Sequence, residues 1–404
     1  MGFLNKKLLL VVFICILIRI VFMFFPSYES DELAFRFWSQ RLVTVGLSDF
    51  YSKDIFTNNP IGIFYFFFIL SLIKLYFFPA VAFASLTFDI FLKIPANIAD
   101  ILTGLILIKF LHAVSREKIK IFLFFILNPF TIFVSAIWGQ YDGLSTLFII
   151  LSSFFAVNKK NPYIGAIFYV CALAIKPQSI MYLPILLLIF LYNYKLKEFF
   201  LSILFSFFAL VLIYLPFFPK NPIQGIITVN FGSLNLFDCT SCFTFNFWGI
   251  FGNWTSDAER IFSIPKVYWG VILYLTSLVP LLILPNLKAK VLSLKIYLAT
   301  SLIILSFFML QTRMHERYIY PLFPYLLLAS IYLRNKIILG FYFIFSLLSS
   351  FNLYFAYAYN SNVIKNTHLP ISIFEAYFSY FSLIYFLTFL IFYIYSFRIL
   401  KKDD

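Results

Sequence analysis

Long apolar runs recur along almost the whole chain, and nothing else in the sequence restricts its fold as much. Thirteen can be marked: 8–25, 61–78, 86–111, 121–136, 143–157, 163–175, 178–192, 198–217, 267–285, 292–310, 318–333, 337–356 and 374–397. A soluble domain cannot hide that much apolar surface. Barrel strands would alternate apolar and polar residues, and these runs do not. The runs predict an all-α polytopic membrane protein, one integral membrane unit over 1–404. Several runs fall short of the ~20 residues a helix needs to cross the hydrocarbon. Those must tilt little, thin the bilayer or extend through flanking polar residues.

Charge then sets the topology. The net charge is +14. In a soluble chain that would suggest nucleic acid; here the basic residues read as anchors of cytoplasmic loops, and no nucleic-acid partner is expected. Lys6-Lys7 precede a run to Phe25 with no small-x-small cleavage site after it, so the first helix is expected to be retained. If 61–78 does not span, seven basic clusters share one side. They are Lys6-Lys7, Arg116/Lys118/Lys120, Lys159-Lys160, Lys195/Lys197, Lys288/Lys290, Arg334/Lys336 and Arg398 with Lys401-Lys402. The expectation is about twelve transmembrane helices with both termini cytoplasmic. The 61–78 run is then interfacial or re-entrant within a first extracytoplasmic segment, 26–85, and 218–266 is a long extracytoplasmic loop. The alternative is that 61–78 spans and another weak run does not.

This topology gathers unusual polar groups at the outer face. They come from "SYESDELAFRFWSQRL" (27–42), "WGQYDG" (138–143), "IKPQS" (175–179) and "TRMHERY" (312–318). Asp31-Glu32 open a segment in which Ala34, Phe35, Phe37 and Trp38 interleave with Arg36, Gln40 and Arg41, as in a helix lying on the membrane interface. A carboxylate held there suits a general base; the plain alternative is a solvated acid. Lys176 interrupts an apolar stretch, at a cost of ~3 kcal/mol on insertion scales, and Pro177 breaks the helix beside it. The expected result is a hairpin tip presenting Lys176 and Gln178, or else a snorkelling loop lysine. Arg313, His315 and Arg317 are donors suited to a phosphate oxyanion, with Glu316 orienting a neighbour; interfacial anchoring is the alternative.

Other polar groups have structural readings as well. Asp142, beside Gln140, is placed to cap the next helix. Lys93 and Asp100 lie two turns apart on one stripe, and Asp89 is placed to pair with Lys93. Arg19, near the outer end of its run, is placed to snorkel. Cys239 and Cys242 lack two further ligands for a zinc site. They form either a small disulfide loop or no bond. The aromatic content, including 58 Phe, carries no functional weight here, since AT-rich coding produces the same bias.

Together these residues resemble the GT-C membrane glycosyltransferases that use polyprenyl-phosphate sugars. The nearest resemblance is to the second mannosyltransferase of GPI-anchor synthesis and its prokaryotic homologues. The dolichyl-phosphate-glucose glucosyltransferases are more distant. Asp31, Arg36 and Trp38 keep the Asp, Arg and Trp spacing of those glucosyltransferases. Trp138-Gly139-Gln140-Tyr141-Asp142 is similar to their H-F-Q-Y-N, Lys176-Pro177-Gln178 to their Lys-Gln pair, and His315-Glu316-Arg317 to their H-E-K. Gln140/Asp142 and Phe245-Asn246-Phe247-Trp248 resemble the G-Q-x-D and A-F-N-x-W segments of the Gpi-type homologues. The motifs run in the same order from about 27 to 325. The chain departs at Asn58-Asn59-Pro60, where the family reads Y-P-P.

The resemblance implies an inverting hexosyltransferase, mannose favoured, acting at the extracytoplasmic face. Asp31 would be the catalytic base. His315, Arg317, Lys176 and Arg313 would bind the donor phosphate. Glu32, Arg36, Trp38, Gln140, Asp142, Gln178, Asn246, Trp248 and Glu316 would contact substrate. The expected partners are a polyprenyl-phosphate sugar donor, membrane lipid and a glycan, lipid or protein acceptor; neither cofactor nor metal is expected. The competing reading is a flippase or polymerase of lipid-linked sugars. A secondary transporter would require paired broken helices in two repeated halves, and only Pro177 makes a strong break.

Overall fold

The structure is a computed structural model that describes residues 6–51, 55, 57, 59–110, 118–232, 237–282, 284, 289–360 and 371–402. Asn58, Arg116 and Lys288, which figured above, lie outside the described residues. The chain is predominantly helical. In order it forms α1 (Lys6–Met23), α2 (Glu29–Val45), α3 (Gly62–Phe77), α4 (Leu86–Phe110), α5 (Lys118–Ile126) and α6 (Pro129–Ile132, continued by a π-helical turn Phe133–Trp138). Next come α7 (Asp142–Ser153), α8 (Pro162–Ile175), a 3₁₀ segment Pro177–Tyr182, α9 (Leu183–Asn193), α10 (Leu196–Tyr214) and α11 (Pro222–Gly232). The last third holds α12 (Lys266–Ser277), α13 (Ala289–Leu310), α14 (Leu322–Tyr332), α15 (Lys336–Asn360) and α16 (Ile371–Lys401). Four two-residue strands occur: β1 (Ser241–Cys242), β2 (Arg260–Ile261), β3 (Ile264–Pro265) and β4 (Met314–His315).

Among the described residues, four helices are long and apolar enough to cross a membrane: α4, α10, α15 and α16. A fifth span results if α5 and the bent segment after it, Pro129–Trp138, count as one. The other apolar helices of this test are 10–17 residues long. Outward faces are apolar: Leu9, Leu10, Phe13, Leu17 and Val21 of α1 are exposed, as are Leu196, Phe200, Phe208 and Leu212 of α10. Such belts belong against lipid, where each helix satisfies its own backbone.

Inside, a buried polar spine fixes the helices around the α5–α6 break. Pro129 has no N–H for the carbonyl of Phe125, and Thr131 Oγ1 donates to that oxygen instead, at 3.0 Å. Phe130 N turns to Asn128 Oδ1, which frees the Ile126 carbonyl. Arg19 takes it with Nη2 at 3.0 Å. Its Nη1 donates to Asn97 Oδ1 at 3.0 Å and to Asp100 Oδ2 at 2.6 Å. Arg19 is 1% exposed and Asp100 0%. Arg19 therefore does not snorkel; it is an internal ion pair between α1 and α4. Tyr320 closes the network by donating to Asp100 Oδ1.

Two further contacts differ from the sequence expectation. Asp89 is held by Arg36 of α2, whose Nε donates to Oδ1 at 2.6 Å. Lys93 caps α1 instead, donating Nζ to the carbonyls of Met23 at 3.0 Å and Phe25 at 2.6 Å. Those carbonyls have no helical partners, and a lysine is well suited to them. α2 and α3 pack on α4 and α7 through a largely aromatic core that includes Phe35, Trp38, Phe64, Phe67 and Tyr141.

The Arg19–Asp100 pair yields a direct expectation. Arg19→Met leaves a buried carboxylate unpaired and should destabilise the fold by about 3–5 kcal/mol. Unfolding in detergent measures this, and the Arg19→Met/Asp100→Leu double variant should recover most of the loss.

Candidate active site

Asp31 stands in the first turn of α2. Trp138 Nε1 donates to its Oδ2 at 2.8 Å, and Gln140 Nε2 donates to the same oxygen at 2.6 Å. Both donors leave the end of the π-helical turn, with Gly139 between them at φ 81°. A side chain there would be strained by that φ and would also meet Lys93 at 2.9 Å. Lys93 in turn holds the α1 end from which the Asp31 segment departs, so one lysine ties both sides of the carboxylate.

Lys176 lies where Pro177 halts α8, in extended conformation at φ −146°. Its Nζ pairs with Asp142 Oδ2 at 2.7 Å. Asp142 is thus the counterion of Lys176 and the first residue of α7. The turn after α13 brings the remaining charges. Arg317 Nη1 contacts Glu316 Oε1 at 2.8 Å, and its guanidinium lies 5.4 Å over Trp138 and 5.8 Å from the ring of Tyr318. Arg313 binds Asp257 Oδ2 through Nε at 2.6 Å.

One cavity of about 830 Å³ is lined by Asp31, Trp38, Gln140, Lys176, Gln178, Arg313, His315, Glu316 and Arg317. These nine come from four separate parts of the chain. Of the remaining sequence candidates, Asp142 reaches the cavity only through Lys176. Glu32 and Arg36 pair with each other at 2.6 Å, and Arg36 also holds Asp89, so they fasten α2 to α4. Asn246 and Trp248 are buried supports. Trp248 Nε1 donates to the Leu310 carbonyl at 2.8 Å, and Asn246 Oδ1 accepts from Gly249 N at 3.0 Å. None of these five is among the lining residues.

The turn bearing His315 is braced from outside the helices. β1 pairs in parallel with β4, setting Ser241 against Met314 and Cys242 against His315. Arg313 N donates to the Cys239 carbonyl at 2.9 Å, and Thr244 Oγ1 donates to that of Met314 at 2.6 Å. Cys239 and Cys242 are joined in a disulfide. Sequence reading missed Tyr28, Asn59, Asn230, Phe237, Phe243 and Trp254, which also line the cavity. It missed Asp257 too, the partner of Arg313. The aromatics are hidden among so many others that no pattern marks them.

Burial shapes the protonation states. It holds His315 well below the usual histidine range, with Arg317 and Lys176 adding to the effect. His315 is therefore a neutral ring able to donate a single N–H. Burial raises Glu316, against the pull of Arg317. Burial also lowers Lys176, and Asp142 opposes that. Lys176, Arg313 and Arg317 each have a carboxylate neighbour. Two neutral donors hold Asp31.

A histidine neutral in the fold takes up its proton only on unfolding, so stability falls as pH drops below about 6.5. The slope from this residue is at most about 1.4 kcal/mol per pH unit. Unfolding in detergent from about pH 7.5 to about 5.5 should show a shallower decline in His315→Gln than in the parent. Glu316 contributes the opposite sign in both proteins, and the comparison removes it.

The chain matches no protein-family model and no curated protein, so the cavity's own chemistry carries the functional reading.

Proposed function

We propose that this chain is a GT-C-like inverting glycosyltransferase. It moves a hexose, mannose favoured, from a polyprenyl-phosphate donor to a hydroxyl on a glycan, lipid or protein acceptor. About twelve spans would put both termini in the cytoplasm and the cavity at the extracytoplasmic face. Nucleotide sugars do not reach that face, and a lipid-phosphate donor does. The observation that carries this reading is that Asp31, Lys176 and the His315–Arg317 turn line one cavity despite their separation in sequence.

The residues have complementary roles in the reaction. Trp138 and Gln140 both occupy Oδ2 of Asp31, which leaves Oδ1 to take the acceptor proton. The acceptor oxygen then attacks the anomeric carbon as the carbon–oxygen bond to phosphate breaks. The electron pair goes to the phosphate, and attack from the opposite face inverts the configuration. Arg317 and Lys176 offset the charge that develops on the leaving phosphate, and neutral His315 donates one hydrogen bond. Their carboxylate partners hold these donors in place before substrate arrives. The buried Nε of Arg317 has no hydrogen-bond partner among the described residues, an imbalance of a kind that often marks a functional group.

Membranes containing each variant, offered radiolabelled polyprenyl-phosphate mannose, glucose and other sugars, test the assignment. Asp31→Asn should insert normally and lose about 10²–10⁴-fold in transfer. Arg317→Met should lose about 10²–10³-fold. Full transfer by Asp31→Asn rejects the base. Movement of intact donor across the bilayer without glycoside formation favours the flippase.

A further inference from the structure

Three residues without glycine's freedom stand at positive φ in the cavity wall: Phe243 at 60°, Trp254 at 56° and Arg313 at 62°. Each such position is unfavourable and persists only where surrounding contacts impose it. Here two of the three, Trp254 and Arg313, are held by carbonyls of the Cys239–Cys242 loop. Trp254 N donates to the Ser241 carbonyl at 2.9 Å, and Arg313 N to that of Cys239 at 2.9 Å. Phe243 directly follows the disulfide. Its N–H is taken by Asn253 Oδ1 at 2.9 Å and its carbonyl by Asn352 Nδ2 at 2.6 Å. Thr240 N adds a bond to the Thr255 carbonyl at 2.7 Å.

The rings presented in this way form one group. Phe243 and Trp254 meet at 5.4 Å, edge to face, and Phe237 stands 5.1 Å from the His315 ring. Trp254 keeps 46% of its surface exposed. Exposed Asp238, Glu259 and Arg260 flank these rings in sequence. Across the cavity, Gln178 makes no side-chain hydrogen bond among the described residues. Rings with an open face and a free amide together match a saccharide: its C–H face packs on aromatics and its hydroxyls bond to amides.

We infer that Phe243 and Trp254, with Phe237 beside them, form a saccharide subsite that holds the acceptor sugar against His315 and Asp31. Calling the sugar an acceptor rests on the transferase reading; the binding of a sugar ring does not. The backbone strain is thus spent on turning two aromatic side chains toward the incoming ring.

The test uses full-length protein in a detergent without sugar headgroups. Saturation-transfer NMR reads binding of α-linked mannobiose and of cellobiose at millimolar concentration, with a short polyprenol as competitor. At least one disaccharide should bind. Trp254→Ala and Phe243→Ala should each weaken it by about tenfold or more. Trp254→Phe should restore most of the binding, which separates ring stacking from loss of fold. Absence of disaccharide binding overturns the inference, as does unchanged binding by Trp254→Ala or displacement by polyprenol. If disaccharides bind as expected while no donor is turned over, the subsite stands and the transferase reading falls.

Discussion

The buried ion pair between Arg19 and Asp100 is the contact on which the rest of the molecule depends. Two charges in an apolar interior are tolerated only with their hydrogen bonds satisfied, and here that requirement recruits four separate segments. α1 supplies the arginine, α4 the aspartate and Asn97, the α5–α6 break a carbonyl, and Tyr320 the last donor. Tyr320 follows the charged turn by three residues. Lys93, two turns from Asp100, secures the end of α1 ahead of Asp31. The spine thereby locates both walls of the cavity without entering it.

Within the cavity, pairing governs the electrostatics. An isolated cation buried there would lose its charge or its place. Asp142, Asp257 and Glu316 lie within contact distance of Lys176, Arg313 and Arg317 and offset that cost. On the proposed reading, an incoming phosphate would meet donors already aligned, with no long side chain to order on arrival. His315 does a different job from the one its position in a basic turn suggests, because burial keeps it uncharged.

Much of this was legible in the sequence, and the reasons differ residue by residue. Lys176-Pro177 was readable because a charge and a helix breaker in an apolar run have few places to go. Asp31 was eligible from its context alone. Arg19 looked like a snorkelling residue because its partner lies 81 positions away, beyond the reach of any helical spacing rule. Asp89 was assigned to Lys93 by the one-turn rule, but Arg36 reached it from another helix. Asn246 and Trp248 matched a motif and proved to support the turn from beneath, since a motif records which residues occur together and not which way they face. Phe243 and Trp254 had no signal at all: their distinction is a backbone angle.

The parallel pairing of β1 with β4 joins residues some seventy positions apart, with two helices between them in the chain. During synthesis the carboxylate, the lysine and the Gln140 donor all emerge well before this ribbon can form. A nascent chain that has threaded only its first half therefore holds an open cleft with no floor. The later turn supplies that side of the cavity, so a chain truncated before residue 314 would hold Asp31 without the His315–Arg317 groups that line the cavity with it.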